Sequence, residues 1–178
     1  MTRVGRDSAV TVLVVMGVSG CGKSTVAELL SARLGWPFME GDSLHSESNI
    51  AKMEAGEPLT DEDRWPWLDK VAAWIEGQHA ADQHGIITCS ALKRSYRDVL
   101  NRRGEGAVFV YLAGERHTLE DRMQARVGHF MAPGMLASQL ETLEEPQPDE
   151  PSMRVPIEQS PAEAADQVVA ELERRARR

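Results

Sequence analysis

The sequence predicts an α/β fold of three layers: a parallel five-stranded sheet with helices on both faces and a helical lid. Two observations carry this expectation. Short apolar runs alternate with stretches of helical periodicity, the pattern of parallel strands joined by crossover helices. The runs at 10–16, Thr11 apart, and 107–112 are continuously apolar rather than alternating, which suits strands covered on both faces. With 178 residues, 42% of them hydrophobic, the chain can bury the core of one domain, expected over 1–178.

The first strand is expected at 10–16. The stretch GVSGCGKST at 17–25 then turns the chain into a helix over 26–34. A short second strand follows at 37–41, a third at 85–89, the fourth at 107–112 and a weaker fifth at 153–157. Thr60 and Asp63 have the spacing of a capping box and start a helix running to about residue 80. Trp67 and Trp74 share one face of it and are expected in the core. The segment 119–143 reads as helix, break, helix, interrupted at Gly128-His129-Phe130 and Pro133-Gly134, which is what a closing lid needs. The polar, proline-rich EEPQPDEP at 144–151 reads as a connector from that mobile segment to the last strand. Pro161 opens the final helix, whose end carries Arg174, Arg175, Arg177 and Arg178, complementing the helix dipole.

Gly17, four residues, then Gly22-Lys23-Ser24 is the spacing of a phosphate-binding loop, with an apolar strand before it and a helix after it. Glycines at 17, 20 and 22 let backbone amides turn toward phosphate oxygens. The cradle is expected from Ser19, Gly20, Cys21, Gly22, Lys23, Ser24 and Thr25, with the helix N-terminus aimed at the same anion. Lys23 should reach the β- and γ-phosphates of ATP, and the Ser24 hydroxyl should hold Mg²⁺. The third strand ends Thr88-Cys89-Ser90 without an acidic residue, and no Asn-Lys-x-Asp guanine-reading motif occurs. Machinery for activating water is therefore not evident, and transfer to a small acceptor is favoured over hydrolysis.

A net charge of −8 and a pI near 5.2 argue against broad nucleic-acid or anionic-membrane binding. No apolar run approaches the roughly 20 residues of a membrane span, and the N-terminus lacks the apolar core of a secretory signal. Cys21 and Cys89 read as packing residues in a reduced, cytoplasmic setting.

The acceptor side is expected at Gly41-Asp42, because ligands of open α/β sheets lie beyond the carboxyl ends of strands. Asp42 there could orient an attacking hydroxyl or take its proton; as a helix N-cap it would do neither. His45, Lys52, Arg64 and Arg97 each read singly as surface residues, and together as a cationic pocket for an anionic acceptor. Ser90 follows the third strand and lines the same cleft in that reading. Arg122 and Arg126, one helical turn apart, could meet the phosphates when the lid closes.

Four blocks carry a family resemblance that covers about residues 12–169: MGVSGCGKST, GDSLHSESNIAKMEAGEPLTDEDRWPWL, CSALKRSYRDVL and GHFMAPGMLASQLETLEEP. The chain resembles the small ATP-dependent gluconokinases, in the nucleoside-monophosphate-kinase-like group of phosphate-loop enzymes. Shikimate kinases share the loop but lack the second and fourth blocks. The resemblance implies transfer of the γ-phosphoryl of ATP to the 6-hydroxyl of D-gluconate. It also implies Asp42 as substrate-orienting residue or base, and His45, Lys52, Arg64 and Arg97 as gluconate contacts. Arg122 and Arg126 match lid arginines, Gln159 falls on the adenine side, and the family is typically homodimeric. Leu140 stands where relatives often have Phe, and Pro156 where they often have Asp. The rival readings are a kinase of another small acceptor, such as shikimate or a nucleoside monophosphate, and a nucleotide-sensing module without turnover.

Overall fold

The run VLVVM is apolar and mostly β-branched, so it fits a pleated strand with no solvent face. In the computed structural model, which describes residues 9–104, 106–125 and 134–178, it forms the central strand β1, Val12–Met16, with every residue buried. The other strands are β2 (Phe38–Glu40), β3 (Gly85–Thr88), β4 (Ala107–Ala113) and β5 (Ser152–Pro156). All pair in parallel, in the order β2-β3-β1-β4-β5. The five strands fall where the sequence places them, with ends shifted by one or two residues. Gly41 and Cys89 lie just past the ladder and begin the turns that build the cleft.

Six α-helices among the described residues lie between the strands, α1 (Lys23–Leu34), α2 (Glu47–Glu54), α3 (Asp61–Ala80), α4 (Arg94–Leu100), α5 (Arg116–Ala125) and α6 (Met135–Thr142), and α7 (Pro161–Ala176) follows the last strand. Helix α1 packs with α7 in one outer layer, and α3 with α4 in the other. Neighbouring strands β1 and β3 thus lead into opposite layers, and a crevice opens between their carboxyl ends. Helix α3 starts in the expected capping box, with Thr60 accepting from the Asp63 amide and Asp63 from the Thr60 amide. Helix α7 repeats it with Ser160 and Glu163, and has Pro161 at its first position. Trp67 is buried as expected, and Trp74 packs half-buried against the core. Of the basic C-terminal end, Arg174 and Arg175 both pair with Glu171.

The segment 144–151 is not the slack connector that its composition suggests. The Glu144 amide donates to the Leu92 carbonyl at 2.7 Å, and its carboxylate accepts the Arg94 amide at 2.9 Å. Arg94 grips Asp149 through two N–H groups at 2.9 and 2.6 Å. The Tyr111 hydroxyl donates to Glu145 at 2.9 Å. Arg97 donates to Glu150 at 2.6 Å, with side chains only 1% and 6% exposed. Arg97 also donates to the carbonyls of Ala91 and Leu92, at 2.8 and 3.3 Å. Its expected place among gluconate contacts is therefore corrected: its donors hold the strap and the turn after β3, away from solvent.

Burial works against the Glu150 carboxylate, but hydrogen bonds from Arg97 and the Gln147 amide outweigh it and hold its pKa below the ordinary value. A carboxyl with a depressed pKa stabilises the fold above its unfolded pKa and loses that contribution as pH falls through the folded one. Glu150→Gln leaves the Arg97 charge buried without its counter-ion. It is expected to cost about 3 kcal/mol at pH 7, with the gap from the parent protein narrowing below about pH 4; urea melts across pH measure both.

Candidate active site

The phosphate loop is built as its spacing predicts. Gly22 is the N-cap of α1 with φ 93°, a left-handed conformation natural to glycine, and no side chain caps the helix. The first amides of α1 therefore face the cleft without an intrahelical partner, which is the arrangement an anion needs. The Lys23 ammonium donates to the carbonyls of Gly17 and Val18 at 3.0 and 3.2 Å, which arches it over the loop and leaves a third N–H for a phosphate oxygen. Cys21 is buried under the loop, as a packing residue would be. Ser19 differs from the expected cradle: its amide donates to the Gln139 side-chain oxygen at 2.7 Å, tying the loop to α6.

Across the cleft, the chain leaving β2 makes a tight floor. Register sets Glu40 beside Thr88. The Glu40 carboxylate accepts the Ser24 hydroxyl at 2.7 Å and the Thr88 hydroxyl. The acidic partner missing from the end of β3 is thus supplied by the neighbouring strand. Sequence reasoning passed over Glu40; its signal is the pair of acids bracketing Gly41 at a strand end. Gly41 itself cannot be replaced without movement, because a Cβ there would lie 1.8 Å from the Thr88 carbonyl oxygen. Its amide donates to Thr88 Oγ1 at 3.0 Å, and its carbonyl accepts the Trp67 indole N–H at 2.8 Å.

Asp42 follows in the 3-10 turn Gly41–Leu44 and caps no helix by its side chain; Ser46 is the N-cap of α2. The Asp42 carboxylate is 69% exposed and faces a cleft of about 610 Å³ that it shares with Lys23, Ser24 and Glu40. Ile50 and Met53 of α2, Met123 of α5 and Met135 of α6 also line this cleft.

His45 is buried, stacked on Trp67 with ring centroids 4.0 Å apart. Asn49 Nδ2 donates to the Asp63 carbonyl at 2.8 Å, which fixes the orientation of the amide. The same nitrogen lies 3.3 Å from His45 Nδ1, so Nδ1 accepts and the ring proton sits on Nε2. That Nε2 is 4.0 Å from Asp42, a gap that a hydroxyl group can bridge. Burial lowers the His45 pKa, the Asp42 charge opposes this, and Arg64 and Lys70 lower it further. The ring is therefore neutral at pH 7.

The expected cations part company. Lys52 is bonded to Asp63 at 2.9 Å, whose carboxyl that contact and the Thr60 amide hold down at about 2. Arg64 donates to the Tyr96 hydroxyl at 3.0 Å and lies over its ring, leaving other N–H groups uncommitted among the described residues. Lys93 belongs to the same cluster, 3.2 Å from Asp61 and 5.6 Å from the centre of the Tyr96 ring. Ser90 is partly exposed at the turn after β3, where its carbonyl accepts the Gly17 amide at 3.3 Å. Burial pushes the Cys89 thiol up to about 12, so it stays protonated.

On the lid side, Arg122 in the last turn of α5 donates to the Ile157 carbonyl. Gln159 bonds the Pro156 carbonyl at 3.0 Å and Gln167 at 2.7 Å, in the turn between β5 and α7. Arg126 and the breaks at 128–130 and 133 lie outside the described residues.

A protein-family model described as an AAA domain matches residues 13–132. The chain is similar to the gluconokinase of Gluconobacter oxydans strain 621H, at 51% identity over 160 residues, 90% of this chain and 88% of that one. It is 44% identical over 144 residues to the thermoresistant gluconokinase of Escherichia coli K12, covering 81% of this chain and 82% of the other. The solved structure of a gluconokinase from Sinorhizobium meliloti 1021 superposes with a TM-score of 0.83 at 45% identity, over 95% and 94% of the two chains.

Gly41→Ala tests the floor of the cleft. The added methyl group must push β2 or Asp42 away from Thr88. Turnover is expected to fall about 100-fold, as it does for reacting groups displaced by around 1 Å. Binding of an ATP analogue to the intact phosphate loop should persist, as measured by titration calorimetry.

Proposed function

Since the chain belongs to the gluconokinase family, we propose that it transfers the γ-phosphoryl group of ATP to the 6-hydroxyl of D-gluconate, giving 6-phospho-D-gluconate and ADP. The observation that supports this most is Asp42, set across one cleft from Lys23 and Ser24. The phosphates lie on the α1 N-terminus and the loop amides, with Lys23 on the β- and γ-phosphates. The acceptor hydroxyl lies between His45 Nε2–H, which donates to it, and the Asp42 carboxylate, which accepts its proton or aligns it for in-line attack. A neutral His45 suits this role, since its Nε2–H orients the hydroxyl oxygen without returning a proton to it as an imidazolium would. Arg64 reads the gluconate carboxylate with Lys93 beside it, a planar fork being suited to that group. Ser90 borders the same pocket. Lys52 acts through Asp63, by holding the start of α3. Arg122 and Arg126 belong to a lid over 119–143 that closes on the phosphates and excludes water, and Gln159 lies on the adenine side.

Magnesium fits this donor set. The Ser24 hydroxyl and the Glu40 carboxylate are hard oxygen donors 2.7 Å apart. No group of three metal-binding side chains occurs among the described residues, so phosphate oxygens and water would complete the shell. Bound there, the ion would neutralise charge on the transferring phosphoryl group. The working form is taken to be a cytoplasmic homodimer without nucleic-acid or membrane partners. No helix among the described residues is long and apolar enough to cross a membrane.

Two measurements test the reading. ADP release with Mg-ATP is expected to depend on gluconate and not on glucose, shikimate or AMP; turnover with one of those instead would reassign the acceptor pocket. Glu40→Gln is expected to raise the magnesium concentration for half-maximal rate by about tenfold, with a smaller change in the KM for gluconate.

A further inference from the structure

We propose that Trp67 is a positioning residue of the acceptor site, holding both groups that face the attacking hydroxyl. The proposal rests on the reading of Asp42 given above. Trp67 is 3% exposed and, on helix periodicity alone, is a core residue. Its polar atom and its ring face have specific targets, however. The indole N–H donates at 2.8 Å to the carbonyl of Gly41, the peptide group that leads directly into Asp42. The ring face stacks at 4.0 Å and 19° on His45, whose Nε2 is the nitrogen turned toward Asp42. One rigid side chain thus fixes the two partners from below.

The opposite side of Gly41 is fixed by Thr88 Oγ1, which accepts its amide at 3.0 Å, and by the close packing of its Cα on the Thr88 carbonyl. The peptide group on each side of Gly41 is thus held by a hydrogen bond, one to Thr88 and one from Trp67, and the Asp42 backbone inherits their direction. A buried indole N–H needs an acceptor, and any carbonyl of the core would have served stability. The acceptor used here is the one whose loss would tilt Asp42.

The test is a double-mutant cycle with gluconate and Mg-ATP: parent, Trp67→Phe, Asp42→Asn and the double variant, each with a thermal melt. Phenylalanine keeps an aromatic face for His45 and removes the donor. Trp67→Phe is expected to lower kcat about 10- to 100-fold while the KM for ATP stays within about twofold, because the phosphate loop is untouched. Asp42→Asn is expected to lower kcat strongly, and the double variant to be no slower than Asp42→Asn alone, because both act through one carboxylate. A Trp67→Phe enzyme with parental kcat, or losses that multiply in the double variant, overturns the proposal even when Asp42→Asn is crippled. Parental kcat in Asp42→Asn overturns the Asp42 reading itself, and the proposal with it.

A second measurement needs no variant at position 67. The Trp67 indole N–H resonance, identified by replacing Trp36, Trp65 and Trp74 in turn, is expected to shift when gluconate is added to parent protein holding a non-hydrolysable ATP analogue. An unmoved resonance under saturating gluconate shows a core side chain only and overturns the proposal.

Discussion

Gly41 rests with its Cα against the Thr88 carbonyl oxygen, closer than any side chain would allow. Much of the cleft follows from that approach. It brings the end of β2 onto the end of β3, so that Glu40 meets Ser24 of the phosphate loop and Thr88 at once. It also sends the next residue, Asp42, out of the sheet and into the space above the loop. The phosphate loop and the Asp42 carboxylate are joined through this glycine rather than through a shared helix.

Charge is distributed to match. The chain is acidic overall, at −8, yet several of its cations are already paired, one of them deep in the fold. Arg97 holds Glu150, Arg94 holds Asp149 and Lys52 holds Asp63. Arg64 and Lys93 remain beside Asp61 and Tyr96, close enough for the Arg64 charge to be felt at His45. A buried ion pair is a weak source of net stability, so the Arg97–Glu150 pair is better understood as fixing register. It sets the turn after β3 and the segment before β5 in a single arrangement.

Local features were legible in the sequence. The phosphate loop, the apolar β1 and the capping boxes of α3 and α7 depend on residues a few positions apart, and the fold follows from their alternation. Features that depend on strand register or distant partners were not. Glu40 acquires its role only because β2 pairs with β3 at Thr88, 48 residues on. The strap 144–151 looks like a solvated connector because its partners, Arg94 and Arg97, lie about 50 residues earlier. Arg97 was misplaced for the same reason: its type fits an anion pocket, and only the fold shows which anion it meets. The importance of Trp67 was hidden by a helical spacing that core packing already explains.

The hydrogen bond from the Ser19 amide to Gln139 joins residues 120 positions apart and asks nothing of the serine hydroxyl. That tie is therefore indifferent to the side chain at position 19. Proline there would break it, because it carries no N–H to give.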